Sequence, residues 1–275
     1  MRKVSYYPGC SLEGTARDYS ESIHAVCREL GIDLEELEDW NCCGATAAHS
    51  IDHQASIELA GRNLTIAASK GQDLVVPCPL CFNRLKTAEK ARSFYNQKTR
   101  ILDLADFMSR DDILDLIESR VTRSLSGIKA VCYYGCMSSR PPGITDAAAC
   151  ENPTSMDRII SRLGAEVIPW SYKTDCCGAS HVIAREDIVL ELVKRLYAKA
   201  DAAGANCIVV SCQMCQANLD MYQEKICRKF GTEYYLPIIY FTEMIGLAMA
   251  HTGVKTWFSR HFVEPDRLLA EAGLV

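Results

Sequence analysis

The sequence predicts an α/β fold built from two pseudo-symmetric, cysteine-rich Cys-Cys-Gly repeats, each with a small, mostly parallel sheet flanked by helices. Three observations carry this expectation. Short apolar runs alternate with longer stretches of helical periodicity, the pattern of strand–helix layers around a parallel sheet. The chain also repeats itself: "KVSYYPGC" (3–10) answers to "AVCYYGC" (130–136), "NCCGA" (41–45) to "DCCGA" (175–179), and "DLVVPCPLC" (73–81) to "CIVVSCQMC" (207–215). Cys42 and Cys176 lie 134 positions apart, and so do Cys78 and Cys212, which is the signature of an internal duplication. Finally, 48% of the 275 residues are hydrophobic and 24% are charged, enough apolar surface for a real core.

Taken in order, each repeat reads as strand, helix, Cys-Cys-Gly turn, helix, strand, Cys-x-x-Cys turn, helix. "DYSESIHAVCREL" (18–30) places Ile23, Val26, Cys27 and Leu30 on one helical face and stops at Gly31. "IDHQASIELAGRNLTIAASKG" (51–71) is a second helix closed by Gly71, and "DLVVP" (73–77) a short buried strand. "RILDLADFMSRDDILDLIESRV" (100–121) reads as helical and joins the copies. In the second copy "REDIVLELVKRLYAKADAAG" (185–204) is the matching helix, and "LPIIYFTEMIGLAMA" (236–250) a strand end followed by a buried helix. The expected units are 1–122, including the linking helix, and 123–275, related by a pseudo-twofold axis. The second copy carries eight extra residues early on, placed in the loop "RPPGITDAAACENPTSM" (140–156).

Charge and hydropathy exclude several classes. The net charge is −5 and basic residues come only in scattered pairs, so no nucleic-acid partner is expected. The 236–250 stretch carries Glu243 and is too short to span a bilayer. "MRKVSYYPGC" lacks the apolar segment of a signal peptide, which points to a cytoplasmic protein. Fifteen cysteines in such a chain point to metal or redox chemistry rather than to a disulfide scaffold.

The repeated cysteines are Cys10, Cys42, Cys43, Cys78 and Cys81 in the first half, and Cys136, Cys176, Cys177, Cys212 and Cys215 in the second. Both sets run in one order: a single cysteine, an adjacent pair, then Cys-x-x-Cys. Each cysteine falls at a strand end or beside a helix start, where backbone amides and the helix dipole favour anionic sulfur. Gly44 and Gly178 let the chain turn so that both members of an adjacent pair can face one centre. A structural zinc or an ordinary cubane takes four ligands, so five cysteines are one too many for either. A fifth thiolate fits a cluster in which it bridges two irons, or an opened, irregular one. The alternative is zinc with one spare cysteine.

The two "C…CCG…C-x-x-C" units resemble the cysteine-rich CCG domains in the B subunit of heterodisulfide reductase, over nearly the whole chain. The resemblance implies two noncubane [4Fe–4S] clusters, each held by one five-cysteine set and lying on either side of a substrate cavity. There the heterodisulfide of coenzyme M and coenzyme B would be reduced to two thiols, one electron from each cluster, as in methanogenesis. It also implies partners, because the sequence has no flavin fingerprint and no ferredoxin cysteine run. They are a ferredoxin-like iron–sulfur subunit, one that contains flavin, and, further upstream, a hydrogenase or formate dehydrogenase. The alternative is a homologue that reduces another disulfide or passes electrons to a quinone or protein partner; a zinc-stabilised scaffold that only binds partners is a third reading.

Other residues carry weaker signals. Cys27, Cys132 and Cys207 read as buried small hydrophobes, and Cys150 and Cys227 also fall outside the repeats. His49 and His181 follow the two Cys-Cys-Gly turns and could donate a proton, or simply pack. Arg84, Arg140 and Lys173 could hold anionic groups of a substrate, with Arg140 and the 140–156 loop placed at one end of its channel. Trp40 and Trp170 precede the turns and read as shielding.

Overall fold

A computed structural model describes residues 2–91 and 99–274. It contains two four-stranded sheets, and every strand pairing is parallel. The first is built from β1 (Arg2–Tyr6), β2 (Ile32–Glu36), β3 (Leu74–Val76) and β4 (Ile101–Asp103), and the second from β5 (Lys129–Tyr133), β6 (Glu166–Val167), β7 (Cys207–Val210) and β8 (Ile238–Tyr240). Their spatial orders are β2-β1-β3-β4 and β6-β5-β7-β8, one topology used twice.

That order places the sites. From β1 the chain steps outward to β2, then returns to the other side of β1 as β3. The crevice at the carboxyl ends of strands around such a reversal is where open α/β sheets bind ligands. Cys10 follows β1 and Cys78 follows β3, while Cys136 follows β5 and Cys212 follows β7. The central strands are apolar because helices cover both faces: all of Leu74–Val76 and Cys207–Val210 is buried.

The helices fall close to their expected bounds, at Arg17–Glu29, His53–Lys70, Glu186–Ala202 and Phe241–Ala248. The 100–121 segment differs. Ile101–Asp103 is strand β4, Asp103 then caps the short helix Leu104–Met108 by accepting from the Ala105 amide at 2.9 Å, and a separate helix runs over Asp111–Arg120. Three residues are too few to show a period of two, so the strand hides in the helical pattern behind it. The polar edge strand β2 is likewise absent from the sequence reading, because "IDLEE" has no apolar run.

The repeats share a core. Tyr19, on the first repeat's helix Arg17–Glu29, stacks on Tyr240 of β8 with ring centroids 4.1 Å apart, and Ser22 Oγ meets Thr242 Oγ1 at 2.7 Å. A smaller apolar cluster around Tyr7, Leu64, Leu74, Val76 and Leu85 lies beneath the first cysteine set. The 140–156 loop is fastened to the first repeat's helix Pro79–Ala91. Asn83 Nδ2 donates to the Met137 and Arg140 carbonyls at 3.1 and 2.9 Å, and Lys86 and Lys90 both pair with Asp146. The loop is thus a strap between the repeats.

Candidate metal centre

Each cysteine set gathers around one Cys-x-x-Cys helix start. In the first, Cys43 Sγ lies 3.3 Å from Cys81 Sγ, Cys10 Sγ 3.9 Å from Cys42 Sγ, and Cys78 Sγ accepts from the Cys81 amide at 3.4 Å. In the second, Cys177 Sγ lies 3.7 Å from Cys215 Sγ. The Gly44 and Gly178 amides donate to Cys42 and Cys176 sulfurs at 3.5 and 3.3 Å. Cys43, Cys78, Cys81, Cys177, Cys212 and Cys215 are buried, Cys136 is half-buried, and Cys10, Cys42 and Cys176 are exposed.

The glycine before each first cysteine shows how tightly the sulfurs are held. Gly9 and Gly135 have φ of +73° and +68°, and a Cβ there would stand 2.9 Å from Cys81 Sγ and 3.0 Å from Cys215 Sγ. Only glycine tolerates both the conformation and the approach.

Within the touching sulfur pairs, one thiol gives up its proton more readily than its partner. Hydrogen bonds with Cys42 and Cys81 draw Cys43 down to about 3, and the bond with Cys136 draws Cys176 down to about 6. Cys78 and Cys177 are lowered by Cys81 and Cys215. Their partners Cys42, Cys81, Cys136 and Cys215 are raised by the same contacts. In each touching pair one sulfur keeps a proton that a metal would displace. By contrast, burial alone pushes Cys27 and Cys207 up to about 12, and burial together with the nearby Asp157 raises Cys132, as expected of packed, inert thiols.

Among the described residues, the only group of three or more His, Cys, Asp or Glu ligand atoms lying within 4.8 Å of one another is Asp18, Glu243 and His261. No three cysteine sulfurs among those residues are that compact. Sulfurs around a single zinc stand about 3.8 Å apart, given a Zn–S bond of about 2.3 Å. Here only pairs of sulfurs approach that spacing, at 3.3 to 3.9 Å, so neither set is drawn together as the four ligands of one ion.

A cavity of about 410 Å³ opens between the repeats. Cys136, Cys176, Cys177, Cys212 and Cys215 line one side, and Ala45, Thr46, His49, Ser50, Pro79, Leu80 and Arg84 line the other. Arg84 is the only permanently charged side chain on that lining among the described residues. It is held by Asn83 Oδ1 at 3.0 Å and by His49 Nδ1 at 2.9 Å, and burial lowers its pKa while the Cys43 thiolate opposes this. The cation lowers the pKa of His49, keeping that ring neutral.

The other expected anchors are engaged elsewhere. Lys173 is buried on Asp157 at 2.6 Å and the Pro153 carbonyl at 2.9 Å, and Arg140 is paired with Glu151 and Thr174. Neither they nor His181 line the cavity, and from the loop's neighbourhood only Met137 does. Trp40 and Trp170 sit edge-on to Tyr7 and Tyr133, with centroids 5.4 and 6.1 Å apart. Three supports escaped the sequence reading. Asn63 brackets Asn41 by two bonds of 3.0 and 2.8 Å, Asn218 donates to the Cys177 carbonyl at 2.8 Å, and Gln213 donates to Cys78 Sγ at 2.7 Å. The two asparagines follow Cys43 by 20 positions and Cys215 by three, so repeat alignment alone would not have paired them.

This frame, two duplicated sets of five cysteines at the switch points of two parallel sheets, is that of a cysteine-rich redox or metal protein. The cysteine-rich domain model known as CCG matches residues 4–86 and 130–220, and the chain belongs to that family. It is 27% identical over 98% of its length to the 8-methylmenaquinol:fumarate reductase membrane anchor subunit of Wolinella succinogenes, covering 99% of that protein. It is 23% identical over 98% of its length to the B subunit of the ferredoxin/F(420)H(2)-dependent CoB-CoM heterodisulfide reductase of Methanosarcina acetivorans, covering 97% of it. The resemblance to the B subunit of heterodisulfide reductase thus extends over nearly the full chain. The fold also matches the crystal structure of a hypothetical protein from Helicobacter pylori with a TM-score of 0.72 and 10% identity, over 96% of this chain and about half (52%) of that one. Among the described residues, no helix is long and apolar enough to cross a membrane.

Proposed function

We propose that the chain is the disulfide-reducing subunit of an oxidoreductase complex of the heterodisulfide reductase type. Cys10, Cys42, Cys43, Cys78 and Cys81 hold one noncubane [4Fe–4S] cluster, and Cys136, Cys176, Cys177, Cys212 and Cys215 hold the other. The observation that carries this reading is the 410 Å³ cavity, walled by the second cysteine set and backed by the turn and helix start of the first. Two such clusters supply one electron each, matching R–S–S–R′ + 2e⁻ + 2H⁺ → RSH + R′SH. A single zinc in each set would supply none.

The remaining chemistry falls to the chain. Ala45, Leu80, Ala179 and Met214 give the cavity apolar walls, which favour a bound disulfide over water. Arg84 orients an anionic end of the substrate. With Nδ1 accepting from Arg84, neutral His49 keeps its proton on Nε2, from which it can reach a product thiolate. Electrons arrive from ferredoxin-like iron–sulfur and flavin-containing subunits of the same complex.

Steady-state turnover of the complex with reduced viologen and the coenzyme M–coenzyme B heterodisulfide tests this. Two thiols released per disulfide are expected. Iron-replete protein that leaves this substrate untouched but oxidises or reduces a quinone would instead support the second reading, drawn from the fumarate reductase relative.

A further inference from the structure

The duplicated sites differ at one buried position, and the difference crosses the repeat boundary. In the two Cys-x-x-Cys turns, the residue after the first cysteine is Pro79 in the first repeat and Gln213 in the second. Proline has no amide to offer. Gln213 opens the helix Gln213–Phe230 directly after its capping residue Cys212. Its side chain does not turn back to its own set. Nε2 donates to Cys78 Sγ of the first repeat at 2.7 Å, a sulfur that also accepts from the Cys81 amide. Among the described residues no side-chain N–H reaches Cys212, the matching sulfur of the second set.

We infer that Gln213 is a positioning residue that makes the two cluster sites electronically unequal, raising the reduction potential of the first-repeat site. The inference rests on the reading that both sets hold iron–sulfur clusters. A ligand thiolate has no proton to give, so the amide must present its NH₂ group to Cys78. Negative charge on the ligand sulfurs grows when an electron is added, and an N–H donor favours that reduced state more than the oxidised one. Hydrogen bonds to sulfur are one of the terms that set cluster potential. Gln213 is 4% exposed and its Oε1 is buried without a partner. An apolar residue would avoid that unmet acceptor, so packing alone does not account for the amide. Cys212, the second-repeat counterpart of Cys78, has no such donor, although the Asn218 side chain lies against Cys177, and the second site lines the cavity. Gln213 thus makes the first-repeat site less reducing than it would otherwise be, while the second lies at the face where the disulfide binds.

The test is an anaerobic redox titration of the iron-loaded protein, followed by electron paramagnetic resonance. Gln213→Met keeps the length and unbranched shape but removes the donor. Its first-repeat step should move to a more negative potential while the second-repeat step stays in place. The same substitution in a Cys177→Ser background identifies the steps, because the signal surviving there belongs to the first repeat. Two unmoved steps at wild-type iron content would overturn the inference, and so would a shift confined to the second site. Gln213→Leu is the second variant; loss of iron in both variants would mean that the side chain is structural only, and also overturns it. Wild-type protein without iron would contradict the cluster reading itself, so iron content is measured first.

Discussion

The Tyr133 hydroxyl donates to the carbonyl oxygen of Asp175 at 2.6 Å, tying the end of β5 to the residue just before the Cys176–Cys177 pair. Tyr7 does the same for Asn41 at 2.8 Å. Each tyrosine has a tryptophan against its ring, so one aromatic unit holds each Cys-Cys-Gly turn in place. Tyr133→Phe keeps the ring and removes the bond, at a cost of about 1 kcal/mol. We expect a modest fall in the denaturation midpoint and faster loss of metal from the second set under a chelator. Equal loss from both sets would show that the tyrosine does not position its own turn.

The cysteines divide into two populations. Cys43→Ser or Cys177→Ser should remove one centre and abolish disulfide reduction, since one electron cannot complete the reaction. Cys27→Ala and Cys207→Ala should keep full iron content and cost about 1 kcal/mol of stability, because their burial-raised thiols act as packing. Iron analysis of the four variants separates the groups, and iron loss in the second pair would contradict the assignment.

Arg84 is predicted to act on substrate binding rather than on cluster assembly. Arg84→Gln should raise KM for an anionic disulfide about tenfold, the equivalent of about 1.4 kcal/mol, with iron content unchanged. It should leave KM for a neutral disulfide nearly unaffected. Steady-state kinetics on the two substrates decides it, and equal effects on both would remove the charge argument.

A buried ionic clamp fixes the pH response. His261 Nε2 lies 3.1 Å from Glu243 Oε1 and 3.6 Å from Asp18 Oδ2, joining the C-terminal segment to the first repeat's helix. Burial alone would lower the His261 pKa, but Glu243, Asp220 and Asp18 outweigh it and hold it at about 9. Burial and Glu243 raise Asp18 to about 6. Both groups bind protons more tightly folded than unfolded. The His261 contribution, about 3 kcal/mol, is fully present below pH ~6.5, the free histidine value, and is lost as pH rises through about 9. Asp18 acts in the same direction between its ordinary value and about 6. Thermal midpoints measured from pH 6 to 9.5 should therefore fall, and His261→Gln should lower the midpoint at pH 6 and flatten the slope. A wild-type midpoint that rises over this range would refute the clamp.

What the sequence revealed followed from periodicity and repetition. The duplicated order of cysteines marked both candidate sites: Cys10, Cys78, Cys81, Cys136, Cys212 and Cys215 lie at or within three residues of a strand end or α-helix start. The Cys42–Cys43 and Cys176–Cys177 pairs lie in loops and were legible only through their repetition. The strand Ile101–Asp103 was hidden by its length, and β2 by its polarity. Arg140 and Lys173 are close to cysteines in sequence, yet each is held by an acid, Glu151 or Asp157, whose proximity depends on how the loop folds back. Gln213 was invisible for a related reason: its partner Cys78 lies 135 positions away, in the other repeat. Arg84 reached the cavity because it stands one helical turn beyond Cys81, a spacing that can be read directly.

The most direct test of the account is the metal content of anaerobically purified protein. Two sets of five thiolates, each holding a four-iron cluster, predict about eight irons with matching acid-labile sulfide per chain and a brown protein. About two zincs per chain and no sulfide would contradict it.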